Sequence, residues 1–300
     1  MSATPSTIRL PFRTCSIRLI KVGVSLAYLF CQFTVGRMRR LFSAHPSGTC
    51  VVLYYHTVPD TYRDRFEEQM RMVSKLSRTV ALDSLDRFSA NTHSAAITFD
   101  DGLESFARNA IPILEKANVP ATVFVVPDAL GCKPCWAETY YDPQEIVMSK
   151  EQLLGLPALI SVGSHTLTHP DLVKLSEQAA AHEIAESRRK LESLLQRPVT
   201  TFSFPHGEFN SSLVDQCRQA GYERVFTISP AVVRGSADYV VGRVAADPWD
   251  WNLEFRLKIL GSYGWLVYLK SAKRRIMQLF SRRDITNTSN SMAVRPVSHS

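Results

Sequence analysis

The sequence predicts an α/β fold built on a mainly parallel sheet, with helical extensions at both ends of the chain. Three observations lead to this prediction. Apolar runs of strand length alternate with amphipathic segments of helix length, which is typical of a parallel sheet and compatible with a closed barrel. Polar side chains directly follow four of the predicted strands. Lysine and arginine dominate both ends of the chain, whereas acidic residues dominate its middle.

The predicted elements of the middle region follow one another in the order that a parallel sheet requires. Runs rich in β-branched and aromatic residues predict strands at residues 51–55, 94–99, 121–126, 159–162, 200–204 and 222–228. Apolar periodicity and end signals predict helices at residues 104–116, 149–156, 176–196 and 210–221. One of these starts is a capping-box pattern, with Gln152 three residues after Ser149.

The candidate functional residues lie where the predicted strands end. His56, Asp100 with Asp101, His165, and the turn Pro205-His-Gly207 each follow a strand directly. The carboxyl ends of parallel strands meet at one edge of a barrel, where such folds carry their chemistry. The sequence therefore predicts that these side chains converge.

These residue types are suited to binding a metal ion. Taken alone, Asp100-Asp-Gly102 fits an ordinary turn, and His165-Thr-Leu-Thr-His169 fits either solvated histidines or two imidazoles on one face of a helical turn. Together they supply a carboxylate and two imidazoles, which is the ligand set of a catalytic zinc with open positions. A second carboxylate next door is free to act as a base.

Three motifs resemble those of polysaccharide deacetylases, the NodB-homology domain of carbohydrate esterases. They are Thr98-Phe-Asp-Asp-Gly102, Ser164-His-Thr-Leu-Thr-His169 and Phe204-Pro-His-Gly207. Two further stretches, Tyr54-Tyr-His-Thr-Val58 and Pro120-Ala-Thr-Val-Phe-Val125, are similar as well. The resemblance covers about residues 50–245 and implies a distorted (β/α) barrel with fewer than eight strands.

The resemblance also implies a role for each residue of the motifs. Asp101, His165 and His169 hold a divalent metal, usually zinc, and Asp100 is the general base that deprotonates the attacking water. The backbone N–H of His206, together with the metal, stabilises the tetrahedral oxyanion. The implied reaction is removal of an N-acetyl group from an amino sugar.

Two features depart from the family pattern. Many members carry an arginine just before the third-motif proline, oriented onto the catalytic aspartate, but Thr201-Phe-Ser-Phe204 offers no cation. Many members also end in Leu-x-His, which protonates the leaving amine, whereas the only histidine after His206 is His299. The acid role then falls to His56, to His206, to Asp100 returning its proton, or to no residue.

Two later residues and two cysteines are expected to have structural or incidental roles rather than catalytic ones. Arg243 and Asp247 resemble late positions of related sequences, and a buried salt bridge is the expected setting for either. Cys132 and Cys135 have the spacing of a redox motif, but they lie in a predicted loop without further metal ligands nearby. Incidental loop cysteines or a local disulfide are the expected alternatives.

The N-terminal segment is predicted to be a helix with one polar stripe. The interruptions of the apolar run 17–35 are Arg18, Lys21, Ser25 and Gln32, whose spacing places them on one helical face. Residues 1–45 contain seven basic and no acidic residues. A helix lying in an anionic membrane interface is expected; an uncleaved anchor and a helix packed on the domain remain alternatives.

The charge distribution divides the chain into three predicted regions. These are a basic amphipathic segment at residues 1–45, a catalytic domain at 46–247, and an aromatic and basic extension with a disordered tail at 248–300. The acidic centre excludes a general nucleic-acid binder. Basic residues on both sides of the apolar run favour peripheral association with the cytoplasmic face, and an anchor facing the periplasm is the alternative.

The predicted function is a zinc-dependent N-deacetylase acting on a polysaccharide or lipid-linked saccharide. Two alternatives remain: a weak or inactive saccharide-binding module in a synthesis assembly, and a deformylase or other deacylase of a lipid-linked sugar. Hydrolysis of a glycosidic bond by the adjacent carboxylates is disfavoured, because such mechanisms hold two carboxyls on opposite sides of the sugar.

Overall fold

The computed structural model describes residues 12–42, 48–85, 92–136, 144–234 and 236–269; for 12–14 and 35–42 it describes the backbone only. The chain divides into two compact units, Met1–Gly264 and Trp265–Ser300. Everything below concerns the first unit. The predicted disordered tail and His299 lie outside the described residues, and the division into regions 1–45, 46–247 and 248–300 stays a prediction.

The first unit is organised around one sheet, and nearly every residue of its longer strands is buried. The strands are β1 (Thr49–Tyr55), β2 (Arg78–Thr79), β3 (His93–Phe99), β4 (Ala121–Val125), β5 (Ile160–Ser164), β6 (Thr201–Ser203), β7 (Arg224–Thr227), β8 (Val232–Arg234), β9 (Val240–Gly242) and β10 (Val244–Ala245). Strands buried on both faces read as continuous apolar runs, as in Val51–Tyr55 and Ala121–Val125.

The strands form a parallel path that nearly closes into a barrel. Its order is β10-β1-β3-β4-β5-β6-β7-β9, with β2 added beside β3 and β8 added antiparallel beside β1. The two ends of this path, β9 and β10, are separated in the sequence by Arg243 alone. A single short segment, residues 240–245, therefore pairs with β7 on one side and β1 on the other.

Helices surround the sheet. They are α1 (Phe12–Phe42), α2 (Arg63–Leu76), α3 (Ile111–Ala117), α4 (Lys150–Leu154), α5 (Glu177–Leu195), α6 (Ser211–Gln219) and α7 (Asn252–Ile259), and a π-helical turn, Phe106–Ala110, leads into α3. Ser149 and Gln152 form the predicted capping box of α4. Ser176 and Asn210 cap α5 and α6 through their side-chain oxygens.

The predicted fold class, a distorted (β/α) barrel with helical extensions, is confirmed. The hydrogen-bonded path counts eight strands rather than fewer than eight, because two very short strands, β9 and β10, complete it. Strands of two or three residues carry too little periodicity to be recognised in a sequence. Helix α2 was also missed, because its apolar positions are few.

The N-terminal segment is helical, as predicted, and packs on the first unit. Within α1 the stretch Cys15–Thr34 is long and apolar enough to cross a membrane, and about one sixth of it is buried. Its contacts are with α7. Cys132 and Cys135 are both free and exposed, so the alternative of a local disulfide does not hold here.

Candidate active site

The predicted site residues line one pocket at the carboxyl-terminal edge of the sheet. The pocket has a volume of ≈ 660 Å³ and is lined by Tyr54, His56, Thr57, Asp100, Asp101, Trp136, His165, His169, Phe204, His206, Gly207, Ile228, Asp247 and Trp249. All six residues singled out from the sequence are among them. Convergence follows from topology, because parallel strands β1, β3, β5 and β6 all end on this side.

Asp101, His165 and His169 form a group of buried side chains that could hold a metal ion. Asp101 Oδ1 lies 3.4 Å from His165 Nε2 and 3.3 Å from His169 Nε2. Ligand atoms bound tetrahedrally at about 2.0–2.1 Å from zinc stand roughly 3.3 Å apart, so these two separations fit such an ion. The donor set of one carboxylate and two imidazoles fits it as well.

His165 is held in the orientation and tautomer that metal binding needs. Its Nδ1 lies 2.8 Å from the carbonyl oxygen of Ser203 on β6. Since a carbonyl can only accept, Nδ1 carries the hydrogen, and Nε2 presents its lone pair towards Asp101. Burial lowers the pKa of His165 from 6.5 to about 4 and so favours the neutral imidazole, although nearby Asp100 opposes this shift.

The loop between the two histidines is not the helical turn that their spacing predicted. Thr166 and His169 have φ angles of 66° and 65°, which a helix excludes. Glu183 on α5 fixes the loop by accepting hydrogen bonds from the backbone N–H of Leu167 and Thr168, both 2.9 Å long. The histidines therefore converge through a loop pinned from outside rather than through helical periodicity.

Trp136 lines the pocket and packs against His169, one of the candidate metal ligands. Its ring stacks on the His169 imidazole with centroids 4.4 Å apart and planes 12° apart. His169 Nδ1 is buried and has no hydrogen-bond partner among the described residues. The orientation of this imidazole therefore depends on ring stacking and on Asp101, whereas a carbonyl orients His165.

Asp100 is clamped by Arg243, which lies between β9 and β10. Arg243 Nη1 donates to Asp100 Oδ1 at 2.7 Å, and Nη2 donates to Oδ2 at 2.8 Å. The guanidinium also donates to Thr98 Oγ1 at 3.1 Å and Ser203 Oγ at 2.7 Å, and it lies over the Tyr54 ring. Planar bidentate pairing of this kind fixes both the position and the charge of a carboxylate.

This clamp decides the ionisation of Asp100, which the motifs left open. Burial raises the pKa of the Asp100 carboxyl, but the Arg243 charge, with His165, outweighs burial and holds the pKa below its usual value. Asp100 is therefore a carboxylate at neutral pH. Thr201–Phe204 contains no cation, and Arg243, between β9 and β10, supplies it instead. The buried salt bridge expected for Arg243 is the one that it forms with Asp100. Asp247, for which the same setting was expected, lies at the pocket wall.

The backbone of the site is unusual. Among the described residues, six non-glycine residues have positive φ, and four of them belong to this site: Asp101, Thr166, His169 and His206. Such conformations cost on the order of 1–3 kcal/mol each and persist where the surroundings hold them. Gly207 has a φ of 70°, and a Cβ there would collide with the Ile228 side chain. The turn after β6 thus requires glycine.

His56 and His206 both reach the pocket, from different strands. The His56 ring lies edge-on to Tyr54, with centroids 5.6 Å apart. The His206 ring is similarly edge-on to His169, at 4.9 Å. Partial burial and the neighbouring His169 lower the pKa of His206. Both are placed to contact a substrate, so each remains a candidate for the acid role.

Sequence reasoning did not recognise Arg243, Trp136, Trp249 or Glu183 as parts of the site. Arg243 does carry a signal, because it is the only charged residue in the apolar run 240–246. Glu183 and the two tryptophans lie in a helix and loops, where a functional residue does not stand out. Their roles depend on long-range contacts.

The fold and site together define a class: a (β/α) barrel with a carboxylate–histidine–histidine group beside a second, clamped carboxylate. The sequence model of a family described as Polysaccharide deacetylase matches residues 89–225, which include β3 to β6, the start of β7 and most of the site. This match, over just under half of the chain, confirms the resemblance to the family that the motifs carry.

Named relatives agree with the family. The Bacillus subtilis protein YxkH, described as a candidate polysaccharide deacetylase, is 29 % identical over 154 residues, which are 51 % of this chain and 51 % of that protein. The poly-β-1,6-N-acetyl-D-glucosamine N-deacetylase of Staphylococcus aureus is 26 % identical over 160 residues, or 50 % of this chain and 53 % of that enzyme. The chain thus spans about half the length of the curated relatives it matches.

A solved structure agrees with the fold. The structure of IcaB from Ammonifex degensii is similar with a TM-score of 0.60 and 25 % identity, covering 70 % of this chain and 97 % of that one. The barrel described above is therefore of the polysaccharide deacetylase type.

Proposed function

We propose that the chain is a zinc-dependent N-deacetylase of amino sugars in a polysaccharide or lipid-linked saccharide. The observation that carries this proposal is the pairing of the Asp101, His165 and His169 group with a second carboxylate, Asp100, held ionised by Arg243. The name of the Staphylococcus aureus relative supports an N-acetylglucosamine polymer as substrate class.

Each residue of the site has a proposed part in the reaction. When bound, the metal would supply Lewis-acid activation of the attacking water and of the amide carbonyl. Asp100 accepts the proton of that water as its oxygen attacks the carbonyl carbon. The backbone N–H of His206 donates to the developing oxyanion, an interaction whose loss typically costs about 2.7–4 kcal/mol. The carbon–nitrogen bond then breaks, and the amine leaves with a proton.

The source of that last proton is proposed to be one of three groups. His56 and His206 line the pocket, and Asp100 holds the proton taken from water. An imidazolium donor would give the basic limb of the pH–rate profile. Replacing His56 with Asn or His206 with Gln should therefore remove or shift that limb for the true donor and leave it in place for the other.

We further propose that the protein is peripheral to the cytoplasmic face of a membrane, where growing or lipid-linked saccharides are found. The basic residues around α1 support this side. An anchored protein facing the periplasm is the alternative. Vesicles of known orientation that carry the full chain would distinguish the two by protease access.

The test of the catalytic proposal is acetate release by the full chain from oligomers of N-acetylglucosamine, measured with bound metal before and after chelation. Stoichiometric zinc with chelator-sensitive release is expected. Asp100→Asn should keep the metal and lose release, whereas Asp215→Asn, a surface carboxylate on α6, should change neither. Metal binding without release from any acylated sugar would instead favour a saccharide-binding module, and release of formate a deformylase.

A further inference from the structure

The N-terminal helix α1 buries polar side chains and exposes apolar ones, which is the reverse of a helix that packs on a soluble domain. The side chains that it buries include Arg18 and Ser25, and Ser25 is fully buried. Val22 is buried as well, but seven large apolar side chains are exposed, and we call them the outer face: Ile17, Leu19, Ile20, Val24, Leu26, Phe30 and Phe33. A soluble domain normally covers such a face, because each exposed large apolar side chain costs about 1.5–3 kcal/mol relative to burial.

A buried network of charges fixes the inner side of α1 to the unit. Arg18 Nη2 lies 2.6 Å from Glu254 Oε2 on α7 and donates to the carbonyl of Trp249 at 3.1 Å. Its guanidinium lies over the Trp251 ring, 4.6 Å from the centroid. Further along the helix, Tyr28 lies close to Gly264. The orientation of α1, and with it the outward direction of the outer face, is thus set by the fold.

This docking is incompatible with a helix that crosses a membrane. A spanning helix is surrounded by lipid over about 20 residues. In α1 the stretch Cys15–Thr34 would have to span, but Arg18, Val22 and Ser25 on its inner side are buried and the helix contacts α7. Breaking the contact would place Arg18 and Lys21 in hydrocarbon and take from Glu254 the closer of its two cationic partners. The helix can meet lipid on its outer side only.

The charges around α1 indicate what covers the outer face. The basic residues of the segment lie before, within and after the apolar stretch Cys15–Thr34, with no acidic residue among them: Arg9, Arg13, Arg18, Lys21, Arg37, Arg39 and Arg40. Two copies paired through this face would bring like charges together in either direction. An anionic lipid surface matches both the apolar face and the basic flanks.

We propose that the outer face of α1 seats the protein flat on an anionic bilayer, with the catalytic unit held on the helix by Arg18. The proposal rests on the membrane location proposed above and adds the surface and its orientation. Arg18 also donates to the backbone carbonyl of Trp249, and Trp249 lines the pocket. The membrane-facing helix and the pocket wall are therefore linked by one connected set of contacts. A lipid-linked or membrane-emergent saccharide fits this arrangement.

The test is flotation of the full chain with vesicles of phosphatidylcholine containing about 30 % phosphatidylglycerol. The wild-type chain should float, and binding should weaken on vesicles of phosphatidylcholine alone and at about 0.5 M salt. Leu19→Glu with Ile20→Glu, or Phe30→Glu, should lower the partition coefficient about tenfold or more. Leu154→Glu is the matched control, because Leu154 on α4 is also exposed (51 %, against 62 % for Leu19) and lies off the helix.

Two readouts distinguish the flat seat from other arrangements. Alkaline carbonate should release the bound chain; a fraction that resists release would mean a spanning helix and overturn the proposal. Light scattering should show the same mass for wild type and the Phe30→Glu chain. Failure of the wild type to float would overturn the proposal, and a dimer that the glutamates dissociate would assign the face to a second copy instead.

Vesicle binding and hydrolysis can fail separately. Circular dichroism melting should show that the Phe30→Glu chain folds like the wild type. The Asp100→Asn chain should float normally, since flotation needs no turnover. Loss of catalysis with intact flotation would therefore count against the proposed reaction alone. Intact catalysis without flotation would count against membrane binding through the outer face alone.

Discussion

Asp100 and Arg243 form a bidentate ion pair, with bonds of 2.7 and 2.8 Å, across 143 positions of sequence. Arg243 is fully buried at the seam between β9 and β10, and the same segment nearly closes the barrel. Closure of the fold and ionisation of the candidate base are therefore coupled: the residue that links the last two strands also supplies the positive charge for the first catalytic motif.

We predict that Arg243→Met moves the acidic limb of the pH profile of kcat/KM to higher pH. Removing the guanidinium takes away the largest effect that opposes burial, so the pKa of Asp100 rises and less carboxylate is present at a given acidic pH. Activity at neutral pH should fall about a hundredfold, because the carboxylate also loses its position. Arg243→Lys should recover part of both effects.

The control for this prediction is Arg218→Met, which removes an exposed arginine that lies over the Tyr239 ring. Its pH profile should match the wild type. An acidic limb that stays in place in Arg243→Met would show that Arg243 only supports the fold. Removing one partner of a buried pair costs about 3–5 kcal/mol, so melting must be measured alongside.

We predict that His169→Gln reduces zinc content and that chelation lowers the melting temperature of the wild type. A metal that binds only the folded chain stabilises it by mass action. The variant should therefore melt near the temperature of the chelated wild type and respond little to chelator. His182→Gln, at an exposed position of α5, is the matched control. Equal zinc content in His169→Gln and wild type would remove His169 from the ligand set.

Metal-free protein should lose stability as pH falls from about 6.5 to 4. Burial lowers the pKa of His165 to about 4, so between these pH values the unfolded chain binds a proton at this residue and the native chain does not. Protonation then favours unfolding, by up to about 3 kcal/mol. Urea unfolding at several pH values measures this slope, which should shrink in His165→Gln and persist in His182→Gln.

Gly207→Ala should impair the site, whereas Gly23→Ala should not. The first places a Cβ at a φ of 70° against the Ile228 side chain. A cost of about 1–3 kcal/mol and a displaced His206 backbone N–H are expected. The second lies in the exposed part of α1 with open space around it, where alanine adds up to about 1 kcal/mol of helix stability. Denaturant unfolding and kcat compare the two; equal behaviour would contradict a requirement for glycine.

Arg18→Met should destabilise the whole first unit rather than α1 alone. It removes the closer cation of buried Glu254 and leaves only Lys258, 3.7 Å away, a change that costs up to about 3–5 kcal/mol. Arg71→Met removes an exposed i,i+4 ion pair on α2, which contributes about 0.3–0.5 kcal/mol, and serves as the control. A single shifted melting transition is expected. An unchanged transition would mean that α1 is dispensable for the fold.

Much of the sheet and of the candidate site could be predicted from the sequence because the signals are local. The strands of the middle region are continuous apolar runs, and the helices between them have caps that can be recognised. Asp100, Asp101, His165 and His169 follow directly after such strands, and parallel topology then requires that they meet at one edge. Local patterns suffice wherever strand order follows chain order.

The tertiary structure decided what depends on distant contacts. The fold class, the candidate metal ligands and the polar stripe of α1 can be predicted from the chain alone, since each is a pattern of neighbouring residues. Only the structure decided that Arg243 clamps Asp100, that Glu183 rather than helical periodicity shapes the histidine loop, and that the stripe on α1 faces the protein. Each of these depends on a charged side chain finding its partner many residues away, and such pairing leaves no periodicity in the chain.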